Sequence, residues 1–201
     1  EKAAEQDVPM AQLQVGEAYA YGLMGVAPDR SRALPLLEAA ARGGEVSAYN
    51  TLGVLLSASA SSDADLRRAI EYFRKGAELG DPPAAFNIGV AYLDGIGAIR
   101  DQRQGVTWLT RSADAGHAPA QYYMGLLHQV GEVVPRDDGA AVRRFEQAAA
   151  QGYAPAMNDL CTLAFLNKAG LSLEVAVEPA WLSAGMSGKQ SACLYVAAIR
   201  A

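Results

Sequence analysis

About ten positions recur five times along this chain at a period of 36 residues. Gly16, Gly53, Gly89 and Gly125 follow one another at intervals of 37, 36 and 36 residues, and the next step lands on Cys161. Five residues before each stands an alanine: Ala11, Ala48, Ala84, Ala120 and Ala156. The first four units then carry an aspartate (Asp29, Asp65, Asp101, Asp137), and all five a closing glycine (Gly44, Gly80, Gly116, Gly152, Gly188). A fixed period of this length builds an array in which every unit buries its apolar face only against its neighbours. The 201 residues are therefore expected to form one elongated domain, where length alone would suggest one or two globular ones.

The third unit shows why the period is helical. In the stretch from Ala84 to Tyr92, apolar or small residues fall at Ala84, Ala85, Ile88, Gly89 and Tyr92, which is one narrow helix face. Glycine lowers intrinsic helix stability by about 1 kcal/mol relative to alanine, so its recurrence inside a helix implies close packing. Asp94-Gly95-Ile96-Gly97 ends this helix with a left-handed glycine cap. Asp101 then caps the second helix, its carboxylate accepting from free backbone amides. Asp29, Asp65 and Asp137 are expected to cap the equivalent helices. Trp108, Leu109 and Ala113 form the buried stripe of the second helix, and Gly116 stops it. Pro83, Pro119 and Pro155 open the next first helix, where no amide partner is needed.

Two antiparallel helices joined by a glycine turn, in the order alanine, leucine-glycine, tyrosine, glycine loop, aspartate, aromatic, alanine-x-x-glycine, resemble the Sel-one-like repeat (SLR). That family is a relative of the tetratricopeptide repeat. Residues Ala84 to Gly116 match nearly every position, apart from Gly105 where alanine is usual. The resemblance covers about residues 11 to 201 and implies an all-α solenoid, a right-handed superhelix of helix pairs. The units are read as 11–47, 48–83, 84–119, 120–155 and 156–191, with a capping helix at 192–201. Eleven helices are expected in all. Two departures stand out: Ser57 to Ser62 replace the glycine turn of the second unit as an irregular loop, and the fifth unit lacks both the glycine and the aspartate.

Chemistry is hard to find. His117 sits in a connector, and His128 takes the slot filled by Tyr19 and Tyr92; neither has a metal-ligand neighbour at helical spacing. No phosphate loop or nucleophile elbow occurs, and Gly95-Ile96-Gly97 follows no strand. No catalytic residue, metal or cofactor is expected. A net charge of −5 argues against nucleic acid, which demands a basic stripe. No apolar run approaches the roughly 20 residues that span a bilayer. The chain begins at Glu1, so its natural start, with any export signal, is expected upstream. Cys193 lies one residue after the alanine position of its unit; one repeat earlier that place is Met157, a helical turn before Cys161. Helices about 9 Å apart and offset by a turn exceed disulfide reach, so both thiols are expected to be free.

A binding module remains. In tetratricopeptide-like solenoids the first helices line the concave face, and here the inward positions fall three residues before and one after each repeat glycine. They read Leu13 and Glu17, Asn50 and Val54, Phe86 and Val90, Tyr122 and Leu126, then Asn158 and Thr162. Phe86, Val90, Tyr122 and Leu126, flanked by Asn50 and Asn158, have the composition of an interface core; equally, aromatics at this slot can pack between neighbouring helices. Arg32, Arg67, Arg68 and Arg103 fall on second helices as a solvated ridge. The resemblance implies a non-enzymatic adaptor or scaffold, bacterial and periplasmic or secreted, that binds a partner protein. Some members resemble immunity proteins that sequester a secreted toxin such as a phospholipase. Cysteine-rich members have been linked to β-lactam binding, but this chain lacks their paired cysteines.

Overall fold

The computed structural model describes residues 8–168. Nine α-helices and no strand occupy them: α1 (Pro9–Tyr21), α2 (Arg30–Arg42), α3 (Ser47–Ala58), α4 (Asp63–Glu78), α5 (Pro82–Asp94), α6 (Gln102–Asp114), α7 (Ala118–Val130), α8 (Asp138–Ala150) and α9 (Ala154–Lys168). These are the two helices of four repeats and the first helix of a fifth. The remaining helix of that repeat and the expected cap at 192–201 lie outside the described residues. The chain divides into two compact units, one ending at Arg111 and one starting at Ser112.

Within the first, third and fourth repeats the chain doubles back through one recurring bond. The amide of the capping aspartate donates to a carbonyl near the end of the first helix: Asp29 to Tyr19 at 2.8 Å, Asp101 to Tyr92 at 2.9 Å, and Asp137 to His128 at 3.0 Å. The Asp29, Asp101 and Asp137 carboxylates in turn accept amides of the helix they open. The Ser31 hydroxyl and then the amides at Asp29, and the amide bonds first at Asp101 and Asp137, hold all three carboxyls below the usual aspartate range. Between repeats a second device recurs. The residue after each closing glycine donates five residues back: Glu45 to Ala40, Asp81 to Gly76, His117 to Ser112 and Tyr153 to Ala148. Gly44, Gly80, Gly116 and Gly152 supply the positive φ that this C-cap requires.

The second repeat departs from the expected capping. Ser62, not Asp65, is the N-cap of α4, and Asp65 lies three residues inside the helix. Its carboxylate reaches back to the Ser61 amide and the Ser62 hydroxyl, both at 3.1 Å, while the Asp65 amide donates to Ser62 Oγ. The arrangement is a variant of the capping box, with the carboxylate taking the amide one residue before the cap, and α4 starts at Asp63. The irregular loop expected at Ser57–Ser62 is shortened to Ser59–Ser62. Ser57 and Ala58 belong to α3, and Ser59 Oγ closes on the Leu55 carbonyl at 2.6 Å.

The small-residue positions do what their recurrence implies. Ala48, Ala84, Ala120 and Ala156 are fully buried. A Cβ on Gly89 would lie 2.8 Å from Leu109 Cγ and 3.1 Å from the Gly105 carbonyl oxygen, and one on Gly105 would lie 2.9 Å from the Gly89 oxygen. The unusual Gly105 is thus the other half of a backbone-to-backbone contact between α5 and α6. Phe73 and Phe145 play the matching part opposite Gly53 and Gly125, where a Cβ would meet the ring at 2.5 Å. Leu109 is fully buried as expected, whereas Trp108 is only half-buried and carries the Arg111 guanidinium 4.5 Å above its ring.

Cys161 corrects a further expectation. It is disulfide-bonded, and there is no free cysteine among the described residues. The fifth unit departs from the repeat pattern, with Cys161 at the glycine position and no capping aspartate, so spacings taken from the regular units do not carry over to it. Cys193 lies outside the described residues.

Candidate functional site

The first helices place the predicted positions in different surroundings. In the unit ending at Arg111, Leu13 is buried and belongs to the core with Leu37 and Leu52. Glu17 is half-buried and accepts the Thr51 hydroxyl at 3.1 Å, a bond from α3 to α1. Asn50 accepts from Asn87 Nδ2 at 2.8 Å, a bond from α5 to α3. Val54 packs against the core around Phe73 and Ile88. Phe86 and Val90 are half-buried on the same helix as Asn87.

In the unit starting at Ser112 the aromatic position is a brace. The Tyr122 ring lies 5.5 Å from Phe145 and 5.4 Å from Tyr153, and its hydroxyl donates to Asp159 Oδ2 at 2.9 Å. Leu126 packs beside it on the same core. Asn158 and Thr162 are exposed on α9. Burial, and then the bond to Asp159, push the Tyr122 hydroxyl up to about 12. A raised value favours the neutral phenol in the fold. Its stabilising effect is complete below the ordinary tyrosine value near 10 and is lost as pH rises toward 12. Tyr122→Phe is therefore expected to melt lower at neutral pH, by the loss of a hydrogen bond worth about 1 kcal/mol. It should also lose less stability than the parent between pH 10 and 12. Parallel alkaline losses in the two proteins would remove Tyr122 from that titration. Tyr72 is raised as well, by burial and then by its bond to Glu38, so part of the loss remains in the variant.

The partners Thr51, Asn87 and Asp159 do not occupy repeat-equivalent positions, so the repeat pattern does not reveal them. Asn50–Asn87 and Tyr122–Asp159 are each 37 residues apart, one repeat plus one, and that offset was the available signal. Of the predicted arginines, Arg32 stacks over Tyr19 and pairs with Asp29, and Arg68 pairs with Glu38 at 2.8 Å. Arg67 lines a cleft of about 520 Å³ between α4 and the α5–α6 turn, a feature with no trace in the repeat pattern. His128 is half-buried, with Nδ1 3.4 Å from the Pro135 carbonyl. Among the described residues no group of three metal-ligating side chains comes together, and no helix is long and apolar enough to cross a membrane.

The Sel1 repeat profile matches residues 9–45, 46–81, 82–117 and 118–153, most of the chain and all four complete helix pairs. The chain belongs to the Sel1 repeat family. Its repeat is generally a non-catalytic scaffold for protein interaction. Comparison with curated proteins returns no match. A Sel1 repeat protein from Oxalobacter formigenes is similar at a TM-score of 0.76 and 25% identity, over 99% of this chain and 76% of that one. A protective antigen of uropathogenic Escherichia coli strains, displaying an SLR fold, is similar at 0.71 and 29% identity. That match covers 83% of this chain but only 35% of the antigen. An immunity protein from Pseudomonas aeruginosa shares the fold at 0.58 and 22% identity, over 80% of this chain and 59% of its own length. The Sel1 profile begins each repeat two residues before the alanine-based frame, on or next to the first residue of α1, α3, α5 and α7.

Proposed function

We propose that this Sel1 repeat protein is an adaptor or scaffold that binds a partner protein on its first-helix face, with Asn50, Phe86 and Val90 at the centre of the contact. The observation that carries this reading is the Asn50–Asn87 bond. It draws α3 and α5 together and leaves two amide N–H groups on Asn50 and one carbonyl on Asn87 beside the half-buried Phe86 and Val90. An apolar patch with adaptable amides at its rim has the anatomy of an interface core. Glu17 and Val54 flank it. Tyr122, Leu126 and Asn158 offer a comparable patch in the following unit. The same reading continues the array through a fifth repeat at 156–191 and a cap at 192–201.

The disulfide at Cys161 supports a periplasmic or secreted location, since such bonds persist in oxidising compartments. The fold shared with an immunity protein supports a second role, sequestration of a secreted toxin, although 22% identity carries the fold alone.

The test captures the partner from a bacterial lysate, identifies it, and measures its affinity for Phe86→Ala, Val90→Glu and Tyr122→Ala alongside their melting temperatures. Loss of a central anchor commonly costs about 2 kcal/mol, roughly thirtyfold in affinity. Phe86→Ala and Val90→Glu are expected to weaken binding while melting near the parent temperature. Tyr122→Ala is expected to lower both. Full binding by folded Phe86→Ala and Val90→Glu would move the contact off this face. A captured toxin would select the immunity role, and an envelope or secretion component the scaffold role.

A further inference from the structure

The cleft between α4 and the α5–α6 turn is lined by three arginines, Arg67 and Arg74 from α4 and Arg100 from the turn. Two carboxylates share it, and both are committed. Glu71 pairs with Arg74 at 3.1 Å, and Asp101 accepts the Gln104 amide and side chain, each at 3.0 Å, as the cap of α6. Asp63 lines a smaller adjoining cleft with Arg67 but makes no ion pair with it among the described residues. Arg100 spends its Nε on the Leu93 carbonyl at 2.9 Å, and its four terminal N–H groups make no hydrogen bond or ion pair among the described residues. Arg67 is exposed and has no ion-pair partner among the described residues. Two guanidinium forks thus stand at one cleft with no carboxylate paired to either among the described residues.

The rest of the cleft is apolar and held in shape. Buried Ile70 and Tyr92 lie at its base, and Ile99 stands at its lip with 91% of its surface exposed. A Cβ on Gly97 would sit 2.8 Å from the Leu66 carbonyl oxygen, so the turn rests directly on the backbone of α4. Gly95 and Gly97 both take the positive φ this path needs. A preformed wall spares a ligand the cost of ordering it.

We infer that this cleft docks a carboxylate-bearing segment of a protein partner, an acidic side chain next to an aliphatic one. The carboxylate lies between Arg67 and Arg100, whose planar forks match it in pairs of parallel hydrogen bonds. The aliphatic neighbour covers Ile99. The site is separate from the first-helix face and stands whether or not that face binds. The net charge of −5 supplies no long-range attraction for an acidic segment, so recognition rests on these contacts.

The probe is a fluorescein-labelled, acetylated peptide of alternating glutamate and leucine, titrated by anisotropy against the full chain, with a glutamine-leucine peptide as its uncharged counterpart. The glutamate peptide is expected to bind saturably and at least about tenfold more tightly than the glutamine peptide, with affinity falling as salt is added. Arg67→Gln, an exposed substitution, is expected to weaken it about tenfold at an unchanged melting temperature, and Ile99→Ser about threefold. Phe86→Ala should leave it unchanged. Equal binding of the two peptides, no saturable binding, or full affinity in Arg67→Gln would overturn the assignment. So would a loss in Phe86→Ala with none in Arg67→Gln, which would seat the peptide on the first-helix face.

Discussion

Phe145→Ala is expected to cost about 3–5 kcal/mol of unfolding free energy, the range for truncating a fully buried aromatic ring. The ring is entirely out of solvent, lies against the bare backbone of Gly125 on α7, and contacts Tyr122 at 5.5 Å between centroids. It fills the space that a glycine opens, so nothing nearby is shaped to replace it. In a repeat array the loss is felt by both neighbours, because each unit is stable only through its interfaces. For a chain of this size the melting temperature should fall by roughly 6–20 °C. Chemical denaturation of parent and variant gives the free energy directly. The double variant with Gly125→Ala makes the explanation specific. Alone, Gly125→Ala should destabilise, since its Cβ would meet the ring at 2.5 Å. With the ring gone, the same methyl group should enter the vacated space and recover part of the loss, a coupling that a thermodynamic cycle detects. A loss below about 1 kcal/mol, or strict additivity, would show that ring and glycine are not one contact.

Gly89→Leu should be the next largest effect, about 1–3 kcal/mol of overpacking or somewhat more. The introduced Cβ would crowd Leu109 at 2.8 Å, and behind it the Gly105 carbonyl at 3.1 Å. A leucine side chain can turn away; a helix carbonyl cannot move without shifting α6 as a whole. For that reason even Gly89→Ala is expected to lower the melting temperature, although alanine is the better helix former by about 1 kcal/mol. Gly139 in α8 supplies the opposite sign. Its Cβ would meet only the tips of the Arg143 and Asp137 side chains at 3.3 Å, so Gly139→Ala should be neutral or slightly stabilising. Thermal melts of the three variants check this. A rise in melting temperature for Gly89→Ala would mean that the α5–α6 approach is looser than the geometry implies.

These glycines mark the level at which the chain was readable. A glycine inside a helix is costly unless another backbone or a large ring needs its place, so its recurrence announced close helix pairs before any contact was known. The aspartates were readable for a similar reason. Caps satisfy amides within three residues, and Asp29, Asp101 and Asp137 act as local chemistry requires. Local chemistry also misled at Asp65. Both Ser62 and Asp65 can cap, and which residue takes the cap depends on where α3 ends, and α3 runs on through Ala58.

The candidate face was legible in position more than in role. The inward register found Asn50, Phe86 and Tyr122, but nothing in the pattern distinguished a rim amide from a brace. Tyr122 became a brace because Phe145, Tyr153 and Asp159, from three other segments, converge on it. Leu13 became core because α2 and α3 cover it. The cleft at Arg67 and Arg100 was invisible for the same reason, since it joins a helix of one repeat to a turn of the next.

By itself, then, the sequence determined the helical period, the pairing within each repeat and most of the caps. Those follow from backbone hydrogen bonds and side-chain volumes acting over a few residues or one exact repeat. Tertiary structure alone decided which first-helix side chains are sealed, which polar groups bridge neighbouring helices, that Cys161 is bonded, and where two arginine forks meet an exposed isoleucine. Each of these rests on the distance between groups roughly 20 or more residues apart, and a one-residue offset in a helix is enough to change the answer.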